Sequence, residues 1–484
     1  MKVIIITEGY QSTGYGHITR CLSLYQAFEE KNIMPLMIIN GDEGARQFLG
    51  EARFELHNWL ADPEYIYNIA AGAHIVIIDS YKAGAEIYEG IHKKVKCLAA
   101  IDDFLRLDYD ADVIINGTIG APDFGYVRKE GVSYLLGGNF IPLRREFRNV
   151  PEKIISPSIE RILITFGGQD VRDLTGPVLE YLLGKAPYIK YSVVVKENFK
   201  INFKKYTSRG NVEFIFDADA EKMKELMRAC DAAVTAGGQT IYELARTGLP
   251  SIAVAVADNQ IKNMQQWVKS GFIEEELYYN DPNLLDRIGS LIAGLNNQVK
   301  RENLNRLGIN TIDGEGAVRI ASLLKGTVEL PLHFRSAREE DAKLVFDLSN
   351  DPVVRMNSIN RNSIGWQEHI EWFGRKIKES NYLFHLYFTD KNEFAGQVRF
   401  NIDDDIAVIS ISIAGEFRGK GLAHRMLTLS CGEVFGRFAE IKRIDAFIKK
   451  ENLPSVSGFA RAGFKPAGEQ LIDGDPYYLY ILLR

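Results

Sequence analysis

The sequence predicts an α/β fold: two doubly wound halves with parallel sheets, followed by a smaller α+β domain. Three observations carry this. From residue 1 to about 328, short apolar runs alternate with amphipathic stretches, the pattern of parallel strands joined by crossover helices. The alternation is interrupted once, by the Pro-containing stretch Val150 to Pro157, and then resumes. Beyond Gly326 to Pro331 the apolar runs follow one another too closely for crossover helices, so those strands must pair antiparallel.

Taken in order, the first half reads as strands Val3 to Thr7, Pro35 to Asn40, His74 to Asp79, Cys97 to Ile101 and Asp112 to Asn116. Ile18, Cys21, Leu22, Tyr25 and Phe28 recur at helical spacing, which predicts a helix packed on that sheet. The second half reads as Arg161 to Phe166, Tyr191 to Val195, Val212 to Phe216, Ala232 to Thr235 and Ser251 to Val256. In the last part an amphipathic helical region precedes strands Tyr382 to Thr389, Phe394 to Ile402 and Ile406 to Ile413. The expected domains are residues 1–149, 150–328 and 332–484. Two doubly wound halves imply a cleft in which ligands bind at the carboxyl ends of strands.

Bulk properties exclude several classes. With 484 residues, a net charge of -6 and a pI near 5.9, the chain is no general binder of nucleic acid or anionic membranes. Cys21, Cys97, Cys230 and Cys431 are scattered without a CxxC pair, which points to a reducing cytoplasm. No cluster of metal-ligand spacing stands out, so no metal is expected. No apolar run approaches the ~20 residues of a membrane span, and the N-terminus lacks a signal-peptide pattern.

Two glycine turns carry the chemistry of the first 328 residues. Gly14-Tyr15-Gly16-His17-Ile18-Thr19-Arg20 follows the first strand and opens a helix. Glycines let the backbone approach a ligand, and a helix start offers free N–H donors and a positive dipole end for a diphosphate. A histidine there can handle a proton. The plain alternative is a glycine turn with an incidental histidine. The second turn, Ala236-Gly237-Gly238-Gln239-Thr240-Ile241-Tyr242-Glu243, again runs from strand to helix. Glu243 falls one turn in, where a carboxylate can accept ribose hydroxyls or simply favour the helix dipole. Asp79, Asp102 and Asp103 end strands and either orient His17, bind sugar hydroxyls or cap the segment that follows.

The Gly-Gly-x-Thr-x-x-Glu segment, with Asp258-Asn259-Gln260 after the next strand, resembles the nucleotide-binding half of GT-B glycosyltransferase-like proteins. The N-terminal glycine turn, Ile78-Asp79-Ser80-Tyr81, Ile101-Asp102-Asp103, Pro142-Leu143-Arg144-Arg145-Glu146-Phe147 and Phe166-Gly167-Gly168-Gln169-Asp170 narrow this. Together they resemble the UDP-sugar hydrolases of pseudaminic acid biosynthesis over about residues 1–328. The resemblance implies a GT-B-like pair of Rossmann-type domains in which His17 activates the water that releases UDP from a 2,4-diacetamido-2,4,6-trideoxy sugar. Gly14, Gly16, Asp79, Gly237, Gly238, Thr240, Glu243, Asn259 and Gln260 are then its substrate-binding candidates. One departure stands out: the family's Arg-x-Asp at the end of the first strand is Ile6-Thr7-Glu8 here.

In the last domain, Arg418-Gly419-Lys420-Gly421-Leu422-Ala423 joins a strand to a helical pattern and is built for a pyrophosphate. With Asn452-Leu453-Pro454-Ser455 and Ala462-Gly463-Phe464 it resembles the GNAT acetyltransferases across residues 332–484. The resemblance implies acetyl-CoA as co-substrate, its pyrophosphate on the amides of Arg418 to Ala423 and its pantetheine arm near Asn452. Asn357 to Asn360, Glu368, His369, Glu371, Trp372 and Phe373 resemble acceptor-side helices. Phe459 stands where many of these enzymes have a proton-donating tyrosine, and His369 is either a base for the acceptor or a packing residue.

The joint reading is a cytoplasmic bifunctional enzyme whose partners are a UDP-linked amino sugar and acetyl-CoA. The acetyltransferase domain acts on the 4-amino group of a UDP-4-amino-4,6-dideoxy-N-acetylhexosamine, and the GT-B-like part hydrolyses UDP from the product. Two other readings stay open: a UDP-sugar glycosyltransferase fused to a GNAT, and a hydrolase with a non-catalytic acyl-CoA-binding module.

Overall fold

The computed structural model describes residues 1–11, 14–129, 131–168, 170–197, 199–206 and 209–484. It is a mixed α/β protein built on three sheets. The first has the order β3-β2-β1-β4-β5-β6-β7, with β1 Val3–Gly9, β2 Leu36–Gly41, β3 Phe54–Leu56, β4 Ile75–Asp79, β5 Leu98–Ile101, β6 Val113–Asn116 and β7 Ser133–Leu136. β1 and β4 are buried along their whole length, as strands covered on both faces must be, and their residues read as continuous apolar runs rather than alternating ones.

The second sheet has the order β10-β9-β8-β11-β12-β13, every pair parallel. Its strands are β8 Arg161–Thr165, β9 Lys190–Val195, β10 Val212–Phe216, β11 Ala232–Ala236, β12 Ser251–Ala255 and β13 Leu277–Tyr278. In both sheets the chain starts centrally, winds one way, then returns to wind the other. The switch point falls between β1 and β4 in one sheet and between β8 and β11 in the other. Both glycine turns lie at carboxyl ends of strands flanking these points, where doubly wound sheets bind ligands.

The helix Gly16–Glu29 packs on the first sheet with Ile18, Cys21, Leu24, Tyr25 and Phe28 buried. Leu22, expected on that face, is half-exposed, and Leu24 fills its place. The strand expected to end at Thr7 continues to Gly9, and the expected strand starts of the first half shift by about one residue. β3 and β13 escape a reading by periodicity because they carry only three and two residues.

The third sheet has the order β14-β15-β16-β17-β18-β20-β19. Its strands are β14 Leu332–Ser336, β15 Tyr382–Thr389, β16 Phe394–Asp403, β17 Ile406–Ile413, β18 Arg443–Lys449, β19 Lys465–Ile472 and β20 Asp475–Leu483. All neighbours pair antiparallel except β17 and β18, which are parallel because the helix Leu422–Arg437 crosses between them. One core lies under that helix, with Val398, Phe400, Met426, Leu427 and Ile444 inside it. A second, with Val345, Phe373, Phe384 and Leu386, gathers residues from the helices Ala342–Ser349 and Trp366–Lys376.

The chain divides into two compact units. One is Met1–Asp110, Ile115–Ala121 and Leu136–Ala321, and the other Ala111–Ile114, Pro122–Leu135 and Ser322–Arg484. Among the described residues, no helix is long and apolar enough to cross a membrane.

Candidate active sites

β1 leaves the first sheet into a loop tied down by polar side chains. Asp42 accepts from the Gln11 amide at 2.7 Å and the Tyr15 hydroxyl at 2.7 Å, and the Tyr10 hydroxyl donates to Asn40. Gly14 has φ +87, a left-handed conformation that a side chain would strain, and its N–H donates to the Tyr10 carbonyl at 2.8 Å. The helix then begins at Gly16 with no side-chain cap. Its first-turn amides have no partner within the helix.

His17 stands in that first turn. Its Nδ1 lies 2.7 Å from Asp79 Oδ1 at the end of β4. Asp79 is wholly buried and also accepts from Arg20, Nη2 to Oδ1 at 2.6 Å and Nε to Oδ2 at 2.9 Å. Arg20 reaches on with Nη1 to Asp103 Oδ1 at 2.7 Å, and Asp103 Oδ2 accepts from the Tyr81 hydroxyl at 2.5 Å. The Tyr81 ring meets the His17 ring edge-on at 4.3 Å, closing a circuit of five residues. Burial by itself disfavours the imidazolium, but the Asp79 carboxylate outweighs it, and the His17 pKa is raised above the ordinary histidine value. Burial likewise works against the Asp79 charge, yet Arg20 and His17 hold its pKa far below the carboxylate range.

The three strand-end acids thus part company. Asp79 and Asp103 belong to the His17 circuit, whereas Asp102 caps its own turn, accepting from the amides of Leu105 at 2.9 Å and Arg106 at 3.1 Å. Glu8, the departure at the end of β1, is buried and accepts from the Ser80 hydroxyl and the Tyr81 amide, each at 2.9 Å. It anchors the turn that carries Asp79 and Tyr81. Arg20 carries a sequence signal that a motif reading passes over. It lies three residues after His17, hence on the same helical face.

At the second turn, Gly237 is fixed by closeness rather than by φ: a Cβ there would meet Met264 Cγ at 3.1 Å. Its N–H donates to Val254, and its carbonyl accepts from Asn263, which in turn accepts from the Tyr242 hydroxyl at 2.6 Å. Gln260 is turned inward, its carbonyl oxygen accepting from the Val256 amide at 2.9 Å, while Asn259 is exposed and Gly238 and Thr240 are half-exposed. Glu243 is buried and already paired: Arg144 Nε and Nη2 donate to its Oε1 at 3.0 and 2.7 Å. Arg144, from the Pro142 to Phe147 motif, is a residue whose role the sequence left unassigned. Burial raises the Glu243 pKa, and Arg144 only partly opposes it. Tyr242, on the same helix Thr240–Thr247, is pushed up by burial and then by the nearby Asp103 charge, so this helix lies within electrostatic reach of the His17 circuit. In the Phe166 to Asp170 motif, Asp170 caps the helix Thr175–Lys185 by accepting from the amides of Leu174 and Thr175 at 2.9 Å. Gln169 lies outside the described residues.

In the third sheet, β17 pairs with β18 only at Ile406–Val408 against Arg443–Asp445. Beyond that the strands carry no pairing with each other, which leaves backbone groups of Ile409 to Ile413 facing a wedge. Gly419 and Gly421 adopt φ +75 and +72, and the 16-residue helix Leu422–Arg437 starts without a side-chain cap. Gly419, Lys420 and Gly421 are exposed, Leu422 is buried and Ala423 is half-buried. The Arg418 side chain is committed elsewhere, donating to the Ile413 carbonyl at 3.0 Å and to Asp351 at 2.7 Å. Asn452 caps the helix Leu453–Arg461 by accepting from the Ser455 amide at 3.2 Å. Phe459 is buried edge-on to Phe464 at 5.0 Å, a core residue with no proton to give. His369 is buried among Phe346, Trp366 and Phe373 with Nε2 2.9 Å from the Ala342 carbonyl, and burial lowers its pKa. It is a packing residue. Among the described residues no group of His, Cys, Asp and Glu is arranged to hold a metal ion.

Fold and sites define a mixed α/β protein in which a doubly wound pair of parallel sheets precedes a GNAT-like domain. Residues 332–465 match the family model of the acetyltransferase (GNAT) domain. Over nearly its whole length the chain is similar to an uncharacterised protein of Methanocaldococcus jannaschii, 24% identical over 486 residues that cover 96% of this chain and 97% of that one. It is also similar to the pseudaminic acid cytidylyltransferase and UDP-2,4-diacetamido-2,4,6-trideoxy-beta-L-altropyranose hydrolase of Helicobacter pylori, 24% identical over 284 residues, 57% of this chain and 48% of that protein. The spore coat polysaccharide biosynthesis protein SpsG of Bacillus subtilis is 21% identical over 345 residues, 68% of this chain and 99% of its own. Among solved structures, the spermidine N-acetyltransferase of Vibrio cholerae in complex with CoA and spermine is 19% identical, covers 31% of this chain and 95% of its own, and has a TM-score of 0.30.

The buried ion pair makes a stability prediction. Asp79→Asn removes the charge that compensates a buried guanidinium and should cost about 3 to 5 kcal/mol at pH 7. Because the folded pKa of Asp79 is depressed, its contribution is present above the unfolded value and lost as pH falls below roughly 5. Denaturant midpoints from pH 7 to 3 should therefore fall more steeply in the wild type than in Asp79→Asn; parallel curves would rule this out.

Proposed function

We propose that the chain is a bifunctional enzyme of sugar-nucleotide metabolism, an N-acetyltransferase joined to a UDP-sugar hydrolase. Its substrate would be a UDP-4-amino-4,6-dideoxy-N-acetylhexosamine. The GNAT domain acetylates the 4-amino group from acetyl-CoA: the amine nitrogen bonds to the thioester carbonyl carbon, the C–S bond breaks with its electron pair on sulfur, and the departed thiolate takes up the proton that the amine nitrogen releases. The parallel-sheet part then hydrolyses the UDP-2,4-diacetamido-2,4,6-trideoxyhexose. We take the working boundaries to be 1–149, 150–328 and 332–484.

The observation that carries the hydrolase assignment is the His17–Asp79 contact in the first turn of an uncapped helix. With Nδ1–H given to Asp79, the Nε2 lone pair is the basic site, beside amides suited to a diphosphate. His17 takes a proton from water as the water oxygen bonds to the anomeric carbon, and the bond to the diphosphate oxygen breaks with its electron pair leaving on UDP. UDP is already a good leaving group, so one base near neutrality suffices. Gly14 and Gly16 flank that base, with Asp79 orienting it. Gly237, Gly238, Thr240, Asn259 and Gln260 would hold the nucleotide at the second turn. Glu243 can meet ribose hydroxyls only while paired with Arg144, so its role is shared with that guanidinium.

For the GNAT domain, the support is the wedge between β17 and β18 together with the amides of Arg418 to Ala423 at a helix start. Asn452 lies at the start of the helix after β18, close along the chain to the wedge. The Arg418 guanidinium positions the loop through Asp351 and leaves the loop's charge to Lys420.

His17→Asn should abolish UDP release from the diacetamido substrate while leaving acetyl transfer intact, with a loss of about 10² to 10⁴-fold expected of a general base. Near-normal hydrolysis, read by UDP release, would sink the assignment. A complementary variant separates the two steps. Gly421→Glu places bulk and negative charge where φ is +72, and should block acetyl transfer. The 4-amino substrate should then yield no UDP, and the diacetamido substrate should yield it normally. Rapid hydrolysis of the 4-amino sugar nucleotide by this variant would show that acetylation does not gate the second step. Glu243→Ala should weaken UDP binding by roughly 1.5 to 3 kcal/mol, measured by calorimetry; unchanged affinity would make the Arg144 pair purely structural.

A further inference from the structure

We infer that Arg20 is a positioning residue that sets the proton affinity of His17, by holding a guanidinium against both carboxylates that face the imidazole. The inference deepens the hydrolase reading and rests on it for its relevance to catalysis. Its basis is the hydrogen-bond circuit. Arg20 meets Asp79 through two nitrogens at 2.6 and 2.9 Å and Asp103 through the third at 2.7 Å. Asp79 is the carboxylate that touches His17 Nδ1 at 2.7 Å. All three Arg20 nitrogens meet carboxylates, Nη2 also lies 3.3 Å from His17 Nδ1, and the residue is 8% exposed.

A base operating near neutrality must be neutral before it reacts. One carboxylate at hydrogen-bond distance orients a histidine and steadies the imidazolium formed in the reaction. Two buried carboxylates would hold it protonated, occupied before water arrives. The guanidinium leaves the cluster with one net negative charge instead of two. His17 is still oriented, and becoming charged by the transferred proton brings the cluster to neutrality. The other groups facing the circuit are accounted for. From the turn after β4, Tyr81 donates to Asp103. From β1, Glu8 is held by Ser80 and the Tyr81 amide. On the helix of His17, the Cys21 thiol lies 3.5 Å from Asp79. On Thr240–Thr247, Tyr242 faces Arg20 and Asp103. None of these supplies a second cation. In agreement, the Arg20 charge opposes the upward pull of Asp79 and Asp103 on the His17 pKa.

The test uses the full chain as wild type, Arg20→Gln, Arg20→Lys and Asp103→Asn. Diethyl pyrocarbonate modifies neutral imidazole, so its reaction with His17, followed by peptide mass spectrometry from pH 5 to 9, gives a midpoint without any substrate. The pH dependence of kcat/KM for UDP release gives the same midpoint as its acid limb. Arg20→Gln should move both upward by about one pH unit or more, Arg20→Lys should restore them toward wild type, and Asp103→Asn should move them downward. A purely structural arginine would lower the amplitude of each curve without moving opposite variants in opposite directions. An unmoved midpoint in Arg20→Gln, or shifts of the same sign in Arg20→Gln and Asp103→Asn, overturns the inference. Should Arg20→Gln fail to fold, Asp103→Asn decides alone, an unmoved midpoint counting against Arg20. If the wild type releases no UDP, the hydrolase reading fails, and the modification profile still decides the role of Arg20.

Discussion

The buried ion pair between Arg20 and Asp79 is the constraint around which the first parallel sheet is organised. It joins the first helix to the end of β4, the strand next to β1 across the switch point. A carboxylate in that position cannot stay charged without compensation, because removing it from water costs several kcal/mol. The guanidinium provides it, but a guanidinium has five donors, and those left over need acceptors of their own. Asp103 at the end of β5 takes one of them, and Tyr81 completes Asp103. The loops after β4 and β5 are thereby fixed relative to His17 by a single charged group. Glu8 extends the same logic to the end of β1, since Ser80 and Tyr81 are oriented by its carboxylate. His17, Arg20, Asp79, Asp103, Tyr81, Ser80 and Glu8 are therefore one connected network, and such networks give rigidity only when every member is satisfied.

The two glycine turns outside that network are built in different ways. The loop before Leu422 uses two glycines with positive φ to bend the backbone so that a helix starts facing outward. The Gly237–Gly238 turn needs no unusual φ. Its glycine sits close under Met264 and Gln260, so that a Cβ would meet their side chains at 3.1 to 3.2 Å. Gly14 belongs to the first kind and Gly237 to the second. A glycine motif in a sequence thus states that the backbone is constrained, without saying whether by conformation or by contact.

How much was legible follows from this difference. Strand and helix order could be read from apolar periodicity because buried parallel strands are continuous apolar runs, and β1, β4, β8 and β12 lie close to where that pattern puts them. The short edge elements β3 and β13, and the largely exposed β19, carry too little apolar signal to be seen. His17 was legible as a candidate because glycine, strand and helix signals converge on it. Which of the three acids partner it was not, because Asp79 lies 62 residues from His17 and Asp103 lies 83 residues from Arg20. Three strand-end acids with similar sequence surroundings divide between a charge circuit and a local cap, a distinction only the tertiary structure makes. The guanidinium groups of Arg144 and Arg418 are taken up by Glu243 and Asp351, pairings that the sequence does not show.

Phe459 bears on what the acetyl-transfer chemistry requires. Packed against Phe464 in the core, it contributes apolar burial at a point where a hydroxyl would need a buried partner. The leaving thiolate of a CoA thioester is stable enough to depart before it is protonated, so an acid held in position lowers the barrier but is not indispensable. What the domain cannot dispense with is the alignment of amine and thioester, because ordering two reactants contributes more than one proton transfer does. The backbone groups of β17 freed by its divergence from β18, and the uncapped start of the helix Leu422–Arg437, are the features suited to that alignment. Under the acetyltransferase function proposed above, the domain keeps the means to orient acetyl-CoA and leaves proton transfer to solvent or to the acceptor side.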